Sequence, residues 1–413
     1  MKKLKLILAA VAMIATSAAY SQTTVTMGAG YTDDVYYSMK NGITGIAPRA
    51  EWDLGFYTNI LSAGIIVNDG SGIELKLYPK ADTSGWMSID TNGMSEWPVL
   101  YNGEDSWENG AFNRHGSGML DYGWGVYNMQ SHEVLGDSLY IIKLQDGTYK
   151  KLWIVRKVSV ENKYVIRYAD LDNSHDKVRE LMNNNFTDYN FAYFDFADES
   201  FFDREPPKED WDIVFTKYQA LQPQGVYYPV VGVFNNVNVP ANRFHPVTLD
   251  FTDWFSQPFD SAKVVIGYDW KYFDLSAFQW NLEDSLVFFI NDREGDIYKL
   301  FFTYFAGTTS GEIQFDDEVI SVLDLDEPLA DDIKLMLAPN PAGSFVRLSW
   351  SRDLGSEISV RVYDLSGKEV LSQEISNGGQ TSTRLDIGAL KEGMYLVSLI
   401  SGDRVINEKL LVE

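Results

Sequence analysis

The 413 residues contain no cysteine. Disulfides, thiolate metal sites, iron–sulfur clusters and cysteine nucleophiles are therefore excluded, and any core must be large enough to hold without covalent staples. Histidine is almost as scarce, with only His115, His132, His175 and His245. Basic side chains are few: 34 lysines and arginines face 59 aspartates and glutamates, a formal charge of −25. A surface of that sign repels nucleic acid and anionic membranes, so neither is an expected partner. Long apolar runs are missing except at the start, where Lys2, Lys3 and Lys5 precede an apolar stretch from Leu6 to about Ala15. Ala19 and Ser21 then stand at the −3 and −1 positions of a cleavage site before Gln22. Residues 1–21 thus read as a secretory signal peptide, with no membrane-spanning segment left after its removal.

What the chain has in abundance is aromatic side chains, 14% of the total within a 45% hydrophobic composition. They lie in short alternating runs such as Lys163-Tyr164-Val165-Ile166-Arg167-Tyr168, separated by turns like Asp146-Gly147. That period of two is the signature of half-buried strands, and it predicts an all-β fold. The pattern also repeats. Glu51-Trp52-Asp53-Leu54-Gly55-Phe56 returns as Asp210-Trp211-Asp212-Ile213-Val214-Phe215. Lys151-Leu152-Trp153 returns as Lys299-Leu300-Phe301, and Ile166-Arg167-Tyr168 as Ile313-Gln314-Phe315. Ordered matches of this kind predict two copies of one β domain, over residues 22–175 and 186–320. Residues 173–185, ending in Lys177-Val178-Arg179-Glu180-Leu181-Met182, read as a helix joining them. A carboxylate-rich stretch over residues 321–334 reads as a linker. From residue 335 to 413, short strands at regular spacing predict a small β-sandwich.

This tail resembles the C-terminal sorting domain of the type IX secretion system of Bacteroidetes. The resemblance rests on Pro339-Asn340-Pro341, Val362-Tyr363-Asp364-Leu365-Ser366-Gly367-Lys368, Leu390-Lys391-Glu392-Gly393-Met394-Tyr395 and Lys409-Leu410-Leu411-Val412. It implies an immunoglobulin-like sandwich, the secretion machinery as partner through residues 335–413, and release or attachment at the outer cell surface. The two copies resemble the HmuY family of haem-binding surface proteins. That likeness is carried by Trp52-Asp53-Leu54-Gly55-Phe56 and Trp211-Asp212-Ile213-Val214-Phe215, with Tyr149-Lys150-Lys151-Leu152 and Tyr298-Lys299-Leu300.

Haem binding in that family uses paired axial ligands. The candidates the resemblance suggests are His115 and His132, with Met119 and Met129 nearby and Trp124 and Tyr127 as rings to pack on a porphyrin. The second copy has no histidine matching His115 or His132, so the expected cofactor is none and haem is the alternative. Asp170, Asp172, Ser174 and Asp176 imitate a calcium loop, but His175 stands where glycine must turn and Leu181 where a bidentate glutamate is required. An aspartate-rich helix start is the expected account of that segment. There is no His-Glu-x-x-His, no Gly-x-Ser-x-Gly and no phosphate-cradling glycine loop, so no enzyme activity is expected. The aromatic clusters around Trp270 and Tyr272, and at Tyr227-Tyr228, are the other candidate ligand platform. The expectation is an exported binding protein for haem, a glycan or a surface protein, or else a structural or adhesive surface protein.

Overall fold

The computed structural model describes residues 21–321, 335–350, 357–364, 367–376, 381–401 and 404–412. The segment read as a signal peptide and most of the acidic linker lie outside them. The chain divides into two compact units, up to Leu323 and from Asp324 onward.

The first unit opens with β1 (Ser21–Thr26), β2 (Asp33–Ser38) and β3 (Gly42–Pro48). Next come β4 (Leu54–Tyr57), β5 (Ile65–Val67), β6 (Glu74–Leu77), β7 (Val99–Leu100), β8 (Gly125–Asn128), β9 (Glu133–Gly136) and β10 (Tyr140–Lys143). They are followed by β11 (Tyr149–Val158), β12 (Lys163–Asp170), β13 (Lys177–Met182), β14 (Phe191–Asp195) and β15 (Ser200–Phe202). The remainder is β16 (Ile213–Leu221), β17 (Tyr227–Asn235), β18 (Ala241–Phe244), β19 (Lys271–Asp274), β20 (Gln279–Leu282), β21 (Val287–Asn291), β22 (Ile297–Phe305) and β23 (Glu312–Ser321). Among the described residues only 3₁₀ turns interrupt the strands.

These strands build two domains of one topology, each a four-stranded sheet packed on a larger one. The first has sheets β15-β14-β4-β5 and β13-β12-β11-β10-β6-β7, with β8 and β9 attached to the larger. The second has β3-β2-β16-β17 and β1-β23-β22-β21-β18. Strand for strand, β4, β10, β11 and β12 correspond to β16, β21, β22 and β23. The counterparts of β13, β14 and β15, however, are β1, β2 and β3. The N-terminal strands complete the second domain, so the repeat is circularly permuted and the first domain is inserted into the second. The halves are thus not the contiguous stretches 22–175 and 186–320 expected from sequence. Repeated motifs identify equivalent strands, but edge pairing is decided by which hydrophobic strips remain uncovered.

Hydrogen bonds repeat along with the strands. Asp53 N donates to Phe194 O at 2.9 Å and Asp212 N to Tyr37 O at 2.8 Å. The Asp53 carboxylate accepts from Phe196 N at 2.8 Å, and that of Asp212 from Met39 N at 2.7 Å. Asn68 Nδ2 donates to Trp52 O, as Asn236 Nδ2 does to Trp211 O. The Trp-Asp pairs are therefore stitches between adjacent strands. Gly147 and Gly295 occupy matching turns at φ +86° and +91°, where a Cβ would be strained.

Leu54, Phe56, Tyr140, Leu152, Tyr164, Ile166 and Phe194 fill the first core. Val25, Val35, Tyr37, Ile213, Phe215, Phe288, Leu300 and Phe315 fill the second. The opposite faces of the four-stranded sheets carry Trp52 against Tyr193 and Trp211 against Tyr36, both edge-to-face with centroids 5.0 and 5.1 Å apart. Trp107 packs against both sets, 5.8 Å from Phe191 and 6.3 Å from Trp211. Buried Asp34 takes Arg49 at 2.7 Å and Arg204 at 2.9 Å. Arg204 also lies over the Trp52 and Tyr193 rings, tying the first domain to the second.

The helix expected over residues 173–185 is instead β13 followed by a 3₁₀ turn. Asp170 accepts from His175 Nδ1 at 2.6 Å and from Ser174 Oγ at 3.1 Å, so these carboxylates close the β12–β13 turn. They do not start a helix. Val178 and Leu181 have helical spacing, but the backbone follows the open edge of β12.

The second unit is a pair of antiparallel sheets. β24 (Leu335–Ala338), β25 (Phe345–Trp350) and β28 (Ser382–Asp386) form one. β26 (Glu357–Tyr363), β27 (Glu369–Ser376), β29 (Gly393–Ser401) and β30 (Arg404–Val412) form the other. Val346, Leu348, Trp350, Val360, Val362, Val397 and Leu399 share their core. Asn340, from the Pro-Asn-Pro segment, donates to Lys409 O at 2.7 Å and accepts from Leu411 N at 2.9 Å, fastening the last strand.

Candidate functional site

A groove of about 710 Å³ lies on the second domain. One wall is the edge strand β17, carrying Tyr228, Pro229, Val230 and Val231. The other is the β19–β20 hairpin, which pairs with no further strand and presents Tyr272, Phe273 and Trp280. Phe273 and Trp280 are paired across the hairpin and share one of its faces, while Tyr272 lies on the other. Its tip residues Leu275 and Phe278 stand 77% and 79% exposed. Trp280 packs on Phe305 with centroids 4.9 Å apart, which sets the angle of the hairpin over the groove. The volume lies within the range of roughly 300–1,000 Å³ typical of ligand clefts.

Lys271, the first residue of β19, is buried at the base of the hairpin. Its Nζ donates to Val231 O at 2.6 Å and Tyr268 O at 3.3 Å, and sits 3.9 Å from the Trp270 ring centre. Burial pulls its pKa down to about 7. Lys217 on β16 reaches the same groove, and burial, then the neighbouring Arg49, lowers its pKa as well. Gln222 and Tyr268 are hydrogen-bonded at 3.0 Å on the rim.

Tyr272, a candidate from sequence, is in the groove wall and half exposed. Trp270 is fully buried beneath it, stacked on Phe302 at 3.7 Å, and supports the site without offering a face. Asn235 and Asn236, neighbours of the aromatic cluster in sequence, are buried and bind backbone carbonyls. Nothing in the sequence pattern marks Lys217, Gln222, Tyr268 or Trp280 as ligand contacts. Only the aromatics flanking the Asp274-to-Ala277 turn signal this wall in the sequence.

The first-domain candidates are placed differently. Trp124 is fully buried, its Nε1 donating to Ala63 O at 3.0 Å, so its ring has no free face. Its flanking glycines serve close packing: a Cβ on Gly123 would lie 2.6 Å from Phe112 O and one on Gly125 2.4 Å from Leu135 O. His132 Nδ1 is bonded to Tyr127 Oη at 2.8 Å, and His115 Nε2 lies 3.3 Å from Tyr140 Oη. Burial lowers the His115 pKa. Met119 and Met129 are exposed on loops. Among the described residues no hydrogen bond or ring contact joins His115 to His132, and no cluster of three or more histidine or carboxylate side chains could hold a metal ion.

Comparison with known proteins adds the class of the tail. Residues 336–413 match the family described as the secretion system C-terminal sorting domain. The second unit is thus a C-terminal type IX secretion sorting domain, and the chain is a secreted or surface protein exported by that system. No curated protein matches the chain. Among solved structures, dimeric latent PorU from Porphyromonas gingivalis is similar with 10% identity and a TM-score of 0.18. That match covers 95% of this chain and 34% of the other, so the chain spans about a third of its length. No helix among the described residues is long and apolar enough to cross a membrane.

Proposed function

We propose that this exported protein is a binding protein, without catalytic activity, whose ligand lies in the aromatic groove of the second domain. The observation that carries the reading is the β19–β20 hairpin. It leaves Tyr272, Phe273 and Trp280 partly exposed across from Tyr228, even with Phe273 packed edge-on against Trp280. Rings left exposed on facing walls gain stabilisation when a flat or amphipathic ligand covers them. We further propose that the two domains are diverged HmuY-like modules, supported by the Trp-Asp strands and the Lys-Leu strands that occupy equivalent positions in both.

The test is a tryptophan-fluorescence titration of the exported protein with a panel of oligosaccharides, peptides and haem, repeated on Trp280→Ala and Tyr272→Ala. A ligand whose binding is lost in both variants is expected. A ligand that binds the variants as well as the parent, or whose binding depends on His115 or His132, would move the site to the first domain.

A further inference from the structure

The electrostatics of the groove run against those of the chain. Although 59 of 413 residues are acidic, none of the fifteen that line the groove is, and two are lysines. Among the described residues neither lysine has a carboxylate partner. Lys271 bonds only to the Val231 and Tyr268 carbonyl oxygens. No hydrogen bond or ion pair among the described residues engages the half-buried Lys217 Nζ, and the like-charged Arg49 acts on it from outside the groove. The nearest carboxylate acting on Lys271 is that of Asp269, which is itself held by Arg243 at 2.6 Å. Elsewhere in the unit Arg49 and Arg204 meet Asp34, while the buried Lys151 and Lys157, like Lys271, settle their ammonium groups on carbonyl oxygens. A desolvated cation without a partner costs stability, so Lys217 is the cation of the groove matched to a ligand bringing negative charge, with Lys271 adding its charge from below.

The groove is also closed to a peptide adding as a strand. β17 pairs with β16 along one side, and on the other Val233 exchanges hydrogen bonds with Gly267. Two and four residues earlier, the same outward side offers Val231, whose carbonyl is taken by Lys271, and Pro229, which has no N–H to donate. An edge so blunted does not accept a strand. What it leaves are ring faces, phenol hydroxyls, the Gln222 amide and two ammonium groups. Sugars present C–H faces to such rings and hydroxyls to such edges.

Building on the groove as the ligand site, we propose that it binds an acidic oligosaccharide. The carboxylates of its uronic-acid units are set against Lys217 and Lys271, and its ring faces against Tyr228, Tyr272 and Trp280. The long-range repulsion from the rest of the surface is screened beyond about 8 Å at physiological salt, so the lysines at the site decide the local sign.

The test compares binding of oligogalacturonate and a neutral galactan of equal length to the exported protein, to Lys217→Ala and to Trp280→Ala. Oligogalacturonate is expected to bind the parent more tightly than the galactan, and Lys217→Ala to lose about ten- to a hundredfold for the acidic ligand only. Trp280→Ala should weaken both. Equal binding of the two ligands with Lys217→Ala silent would overturn the acidic assignment while leaving the groove as the site. Binding untouched by Trp280→Ala would overturn the groove itself. Binding of neither saccharide, with the parent folded by its thermal transition, would overturn the saccharide assignment.

Discussion

Removing residues 22–48 tests the permuted architecture where it differs most from a sequential one. The deleted strands place Val25, Met27, Tyr31, Val35, Tyr37 and Met39 in the second core, each less than a tenth exposed. At roughly 1.5–3 kcal/mol for each of the six buried side chains, their loss removes about 9–18 kcal/mol as an upper estimate. That is the size of a whole domain's net stability, about 5–15 kcal/mol. The hydrogen-bonded edges of β16 and β23 are stripped at the same time. The first core takes nothing from these strands, so it is expected to survive, weakened by the loss of Asp34 and Tyr36 from its outer contact. Limited proteolysis read by mass spectrometry should leave a resistant fragment near residues 50–205 and digest residues 211–321. Adding a peptide of residues 22–48 should restore protection. If residues 211–321 stayed as resistant as in the parent, or the first domain were the one lost, the strand assignment would be wrong.

Asp212→Ala should cost about 1.5–3 kcal/mol in the second domain by leaving Met39 N without its acceptor, seen as a lowered thermal midpoint; an unchanged midpoint would show the stitch to be dispensable. Burial pushes Glu205 up to about 7, so the folded state keeps a proton that the unfolded chain releases from about pH 4.5. Its contribution is full below pH 4.5 and lost as pH rises through 7. Denaturant titrations should show Glu205→Gln flattening that fall, by up to about 3 kcal/mol, and an unaltered slope would assign the pH dependence elsewhere. Deleting residues 336–413 should leave the cargo folded but held within the cell envelope, and normal surface delivery of the truncated protein would contradict the role of the tail.

Much of the strand layout is legible in the sequence because strands advertise themselves by a period of two. The Trp-Asp and Lys-Leu pairs mark equivalent positions because both domains need the same stitches and the same core side chains. The permutation leaves no local mark: β1 reads as an ordinary strand, and only the uncovered edge of β23 dictates its partner. The β13 segment reads as helix because Val178 and Leu181 have helical spacing, but a short segment at a sheet edge takes its conformation from the neighbouring strand. Trp124 looked available because it stands among glycines, which here permit close backbone packing. The groove was half visible. Tyr272 belongs to a conspicuous aromatic run, but Lys217 comes from β16, more than fifty residues earlier, and its lack of a carboxylate partner is a property of the folded surroundings.

Backbone hydrogen exchange of the exported protein, with and without saturating oligogalacturonate, tests the central claim most directly. The account predicts slowed exchange confined to residues 227–231 and 268–282, the two walls of the groove. Protection confined to residues 111–137 of the first domain, or none at all despite measured binding, would contradict it.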